Sequence, residues 1–151
     1  MEVYDKAKTA RVWQRVQGGV AEDPTRGLTG MIAEEWADAA MYLSLSRRVQ
    51  GNHSNILRKM GQEEQAHMAC LKGIYTLQGT GRPDVPQPPP VDKAPVSTLL
   101  RRCYGREMRC LAQYEARAND PEYGQIFARM AQQEKEHCRL ILELLGTLEV
   151  K

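Results

Sequence analysis

Between residues 82 and 95 the chain reads RPDVPQPPPVDKAP, with six prolines in fourteen positions. Proline lacks a backbone N–H and clashes with the preceding helical turn, so neither a helix nor a central strand can run through this segment. On either side lie long stretches whose apolar residues recur in steps of three and four, the pattern of helices that bury one face. The segment therefore divides a helical chain into two halves. As polyproline II, at about 3.1 Å per residue, it reaches about 40 Å. A helix of two dozen residues, at about 1.5 Å rise, is about 36 Å long. The linker can thus run the length of a bundle and start the third helix parallel to the second.

The spacing predicts helix 1 over about 26–49, with Leu28, Ile32, Glu35, Ala39, Tyr42, Ser46 and Val49 on its seam. Gly51-Asn52 reads as a short stop, so helix 2, about 54–77, folds back antiparallel. Its seam carries Leu57, Met60, Glu64, His67, Leu71 and Ile74. Helix 3 follows the linker over about 96–118, with Leu100, Cys103, Glu107, Cys110 and Tyr114. Asn119-Asp120-Pro121 reads as C-cap, N-cap and first helical position. Helix 4 then runs to about Leu145, its seam being Tyr123, Phe127, Met130, Glu134, His137, Ile141 and Leu144. The expected architecture is all-α: a four-helix bundle over 26–147 with one long crossover between helices 2 and 3, the ferritin-like arrangement. Residues 1–25 are expected to form a short amphipathic helix and a loop. Gly30, Gly61, Gly73, Gly105 and Gly124 sit inside the expected helices, and close helix approach would explain them.

The seams carry charge where a core should not. Glu64-x-x-His67 and Glu134-x-x-His137 each place a carboxylate and an imidazole on one helix face. Each has an upstream glutamate with a tyrosine seven residues beyond it: Glu35 with Tyr42, and Glu107 with Tyr114. A single Glu-x-x-His is as readily a surface pattern; two in matched places, on apolar seams, are not. Buried carboxylates require compensating cations. Two divalent metals supply four positive charges against Glu35, Glu64, Glu107 and Glu134, with His67 and His137 as neutral nitrogen donors. An oxygen-rich set with one His per metal suits iron or manganese better than structural zinc.

Neighbouring residues leave alternatives open. Glu34 competes with Glu35 and Glu63 with Glu64, although the latter of each pair keeps the register. Tyr42 and Tyr114 read either as hydrogen-bond partners of ligand carboxylates or as core tyrosines with satisfied hydroxyls. Asp38, one turn after Glu35, reads as a seventh carboxylate, a proton relay or a helix-surface aspartate, the last being favoured. Cys103 and Cys110 flank Glu107 and read as small buried hydrophobes in preference to redox partners. Glu115 and His53 read as solvated polar residues.

Glu35…Glu64-x-x-His67 and Glu107…Glu134-x-x-His137 resemble the rubrerythrin branch of the ferritin-like superfamily over about residues 26–146. The resemblance implies that Glu64 and Glu134 bridge two irons, with Glu35 and His67 completing one and Glu107 and His137 the other. It implies reduction of hydrogen peroxide to water. The chain departs from that family in two places. A C-terminal Cys₄ domain is not expected, so electrons are expected from an external donor such as a rubredoxin-like protein or a flavoprotein. Where the family carries a further glutamate one turn after the helix 3 ligand, this chain has Cys110; Asp38 holds the matching place in helix 1.

Alternative readings are Fe(II) oxidation and iron handling as in ferritins, a di-iron oxygenase, and a non-catalytic or manganese-loaded binding module. The net charge of +2, with basic and acidic residues interleaved, carries no nucleic-acid footprint. No apolar run approaches membrane-spanning length. The charged N-terminus lacks the apolar core of a signal peptide, and none of the four cysteines forms a C-x-x-C pair. A cytoplasmic protein with free thiols, assembled as a homodimer or higher homo-oligomer, is the expectation.

Overall fold

The computed structural model describes residues 27–79 and 81–148. The expected N-terminal helix lies outside the described residues. Four helices follow in order: α1 (Leu28–Ser46), α2 (Gly51–Gln78), α3 (Val96–Ala116) and α4 (Gly124–Thr147). The all-α four-helix architecture is as the periodicity predicts. Helix ends differ by at most three residues, the range over which caps rather than periodicity decide.

One such difference is at α2, which begins at Gly51 rather than Ser54. Gly51 takes φ +62°, a conformation that a residue without a side chain adopts at little cost, so it opens the helix where a stop was expected. Ser54 Oγ donates to the Ser46 carbonyl at 2.7 Å, satisfying a terminal group of α1 and closing the hairpin. At the other hairpin, Asp120 Oδ1 accepts the N–H groups of Glu122 and Tyr123 at 2.8 and 2.9 Å. That caps a turn over 120–123, and regular helix starts only at Gly124. A β-carbon at Gly124 would collide with the Ala118 carbonyl oxygen. Gly61 also meets a close approach, its missing β-carbon position lying 2.8 Å from Leu43 Cγ of α1. Gly30, Gly73 and Gly105 face open space, so helix approach does not account for them.

Two apolar clusters fix the topology. One joins Leu28, Met31 and Ile32 at the start of α1 to Leu71 and Ile74 at the end of α2. Tyr114, at the end of α3, and Phe127 and Met130, at the start of α4, complete it. The other joins Tyr42 and Leu45 to Leu57 and Met60, then to Leu99, Leu100 and Cys103, and finally to Ile141 and Leu144. The end of α2 and the start of α3 therefore sit at opposite ends of the bundle, and the two helices run parallel. Val85 packs against the first cluster and Ala94 against the second, so the proline segment runs along the bundle, as its length requires. Asp92 tethers its far end by accepting from the Ala94 N–H and pairing with Arg102, both at 2.9 Å.

Backbones approach most closely within the hairpins, α1 on α2 and α3 on α4; α1 faces α3 and α2 faces α4 across a wider gap. The charged seam residues fill that gap between the two clusters. Among the described residues no helix is long and apolar enough to cross a membrane.

Candidate metal centre

Each helix contributes to the centre at mid-length, from the face its periodicity buries. Glu35 from α1, Glu64 and His67 from α2, Glu107 from α3, and Glu134 and His137 from α4 are all fully or almost fully buried. Their donor atoms form two groups, within each of which the atoms lie within 4.8 Å of one another: Glu35, Glu64, His67 and Glu134, and Glu64, Glu107, Glu134 and His137. Glu64 and Glu134 belong to both groups, and each remaining residue belongs to one.

Both imidazoles aim Nδ1 inward. His67 Nδ1 lies 2.8 Å from Glu134 and 3.5 Å from Glu35; His137 Nδ1 lies 2.6 Å from Glu64 and 3.5 Å from Glu107. Despite this crowding, Glu35 Oε2, Glu107 Oε2, both oxygens of Glu64 and of Glu134, and both Nδ1 atoms are buried without a hydrogen-bond partner. Leaving even one such group unmatched costs about 1–3 kcal/mol. Eight converging on one volume fit two divalent cations: four carboxylate charges balance four metal charges, and each group supplies three carboxylates and one nitrogen.

The titration of the cluster reflects the same excess of lone pairs. Burial lowers the affinity of His67 for a proton, but Glu134 and Glu64 outweigh it and raise the pKa to about 10. For His137, Glu107, Glu63 and Glu64 likewise overcome burial, raising it to about 12. Glu134 is pushed up chiefly by burial and by its neighbour Glu107. Burial also acts upward on Glu107, but the closeness of Glu134 and His137 and the hydrogen bond from Tyr42 hold it low. Of the two, Glu134 is the one its surroundings push toward the protonated form.

The outer contacts repeat under the pseudo-twofold relation of the two halves. Tyr42 donates to Glu107 Oε1 at 2.5 Å, and Tyr114 donates to Glu35 Oε1. The tyrosines thus hold the carboxylates of the opposite half, and burial raises both phenols. Nε2 of His137 meets Glu63 Oε2 at 2.7 Å, and Nε2 of His67 meets Gln133 Oε1 at 2.5 Å. Sequence reasoning weighed Glu63 only as a rival of Glu64 and passed over Gln133. The signal was present, since each directly precedes a shared glutamate in its own half.

Asp38 corrects the surface reading: it is fully buried, 2.9 Å from Arg106 Nε, close enough for an ion pair although not aligned as a hydrogen bond. Burial lifts its carboxyl to about 7 against the pull of Arg106. It stands outside both ligand groups. On the opposite side, Cys110 Sγ donates to Glu34 Oε2 at 3.3 Å. Burial raises the thiols of Cys103, to about 12, and Cys110, so both stay protonated and unreactive at neutral pH. Glu115 is exposed and faces Lys135 at 3.5 Å, and His53 meets Thr147 at 3.0 Å in an exposed contact.

No family model matches the sequence, and no curated protein matches it. Among solved structures, a ferritin of Chlorobium tepidum is similar at TM-score 0.63 and 21% identity, over 84% of this chain and 85% of that one. With the parallel α2 and α3, the long crossover and the mid-bundle cluster, this likeness establishes a ferritin-like fold.

Proposed function

We propose that the protein is a dinuclear iron oxidoreductase of the rubrerythrin kind, reducing hydrogen peroxide with electrons from an external donor. One observation carries the proposal: two four-residue donor groups share Glu64 and Glu134 inside a buried volume. Three carboxylates and one imidazole per position suit iron, with manganese the nearest competitor. Two irons held side by side supply two electrons together, which matches the cleavage of one O–O bond: H2O2 + 2e⁻ + 2H⁺ → 2 H2O.

The chain's own residues do the rest. Glu64 and Glu134 would serve both metal positions. Glu35 with His67, and Glu107 with His137, complete them. Tyr42 and Tyr114 pin the outer carboxylates, and the two apolar clusters seal the ends of the bundle against bulk water. Asp38 sits on the protein interior near enough to feel the charge of Glu107 and carries an exchangeable proton near neutral pH.

A second reading, Fe(II) oxidation by oxygen with iron as the substrate, is favoured by position 110. There a protonated thiol engaged with Glu34 stands in place of a further carboxylate. The test is to load the protein anaerobically with Fe(II) and mix it with hydrogen peroxide or with oxygenated buffer under stopped flow. Oxidation much faster with peroxide is the expected result. Equal or faster oxidation by oxygen refutes the peroxidase reading and moves the assignment to the second.

A further inference from the structure

The ligand set is symmetric between the two halves, but the groups behind the two imidazoles are not. His67 and His137 both turn Nδ1 to the cluster, so each Nε2 carries the remaining N–H and donates it outward. His137 donates to a carboxylate, Glu63 Oε2 at 2.7 Å, and His67 donates to an amide carbonyl, Gln133 Oε1 at 2.5 Å. The two acceptors occupy equivalent places, each one residue before a shared glutamate and each reaching across to the histidine of the other half. Chemistry alone separates them. A carboxylate draws the Nε2 proton more strongly than an amide oxygen does, leaving more electron density at Nδ1 and a more basic metal ligand. Lys59 approaches Glu63 at 3.8 Å but is 77% exposed, so water screens most of its opposing charge. The other two departures from symmetry, Arg106 with Asp38 and Cys110 with Glu34, touch neither imidazole.

We infer that the two metal positions are unequal by construction: the position built on Glu107 and His137 fills first and binds more tightly than the one built on Glu35 and His67, because Glu63 backs its imidazole. This rests on the reading that the cluster holds two metals. It adds Glu63 and Gln133 as positioning residues that set the order of filling. Outer partners of metal-bound histidines typically change affinity by about 10–100-fold when replaced, and the gap between the two binding steps should be of that size.

The test is anaerobic titration of the metal-free protein with Co(II), followed by calorimetry and by the visible absorption of the bound ion. The wild type is expected to take up two ions in two resolved steps. Glu63→Gln should weaken the first step by about 10–100-fold and merge it with the second. Gln133→Glu should instead strengthen the second step by a similar factor, and circular dichroism confirms that each variant keeps its helices. Two ions bound by the wild type with both steps unchanged in the two variants would overturn this inference alone. So would a loss in Glu63→Gln confined to the weaker step. No uptake of Co(II) by the wild type would overturn this inference and the dinuclear reading together.

Discussion

Metal loading should expel protons, and the number can be worked from the cluster. At pH 7, His67 and His137, with pKa values of about 10 and 12, are both imidazolium, and Glu134, pushed up to about 10 by burial, is protonated. Two divalent ions require four carboxylates and two neutral imidazoles, and −4 + 4 = 0. The difference is about three protons, one from each histidine and one from Glu134. Asp38, half-protonated near pH 7, can add up to about half a proton as the nearby positive charge grows. By linkage, the product of the two binding constants should rise about a thousandfold per pH unit between pH 6 and 8. The sign follows from the direction of the shifts. Raised histidine pKa values stabilise the metal-free fold fully below pH 6.5, and that stabilisation is lost as pH climbs through 10 to 12. Deprotonation thus frees the donors as it weakens the metal-free protein. Calorimetric titration with Co(II) in buffers of different ionisation enthalpy counts the protons directly. Release of one proton or none would show that the donors are already unprotonated, and the raised proton affinity of His67, His137 and Glu134 would be refuted.

Two further perturbations separate the centre from its scaffold. Glu64→Ala or Glu134→Ala removes a residue common to both donor groups, so each should abolish paired metal uptake by elemental analysis. Each should also remove the thermal stabilisation seen on loading, about 2.7 kcal/mol when free metal is a hundred times the dissociation constant; unchanged metal content in both variants would sink the assignment. In the scaffold, Gly124→Ala forces a β-carbon onto the Ala118 carbonyl and should lower stability by about 1–3 kcal/mol in urea unfolding. Gly105→Ala, on an exposed helical face with open space around it, should raise stability by about 0.5–1 kcal/mol. A destabilised Gly105→Ala would mean that a neighbour fills that space.

The architecture was legible because its two determinants are local. The proline run forbids helix and has a length, and the three/four periodicity marks which face each helix buries. Helix ends were less legible, because Gly51 and Asp120 act through backbone conformation and caps that the same letters could serve differently. The six charged seam residues were legible for an energetic reason: ions on an apolar stripe demand a common solution. Asp38 misled on this point. It too lies on the stripe, but its partner, Arg106, comes from another helix, and a pair whose members are 68 residues apart in a single sequence leaves no periodic trace. Gln133 was passed over for the opposite reason. A glutamine on a charged helix looks solvated until the imidazole of the other half is seen to end on it.

The uneven spacing of the helices follows from the same pairings. Within each hairpin short connections bring the backbones close, and Gly61 lets Leu43 settle against α2. Between hairpins, the polar side chains that reach across the gap keep the backbones apart: Tyr42 to Glu107, Tyr114 to Glu35, Glu63 to His137 and Gln133 to His67. Every one of these bonds joins one half of the chain to the other, and every one ends on a donor of the cluster. The hairpins are therefore held together through the centre as well as through the two apolar clusters at the ends of the bundle. A ligand change that left helix propensity untouched would still loosen the contact between the halves, so metal affinity and the docking of the two hairpins are expected to fail together.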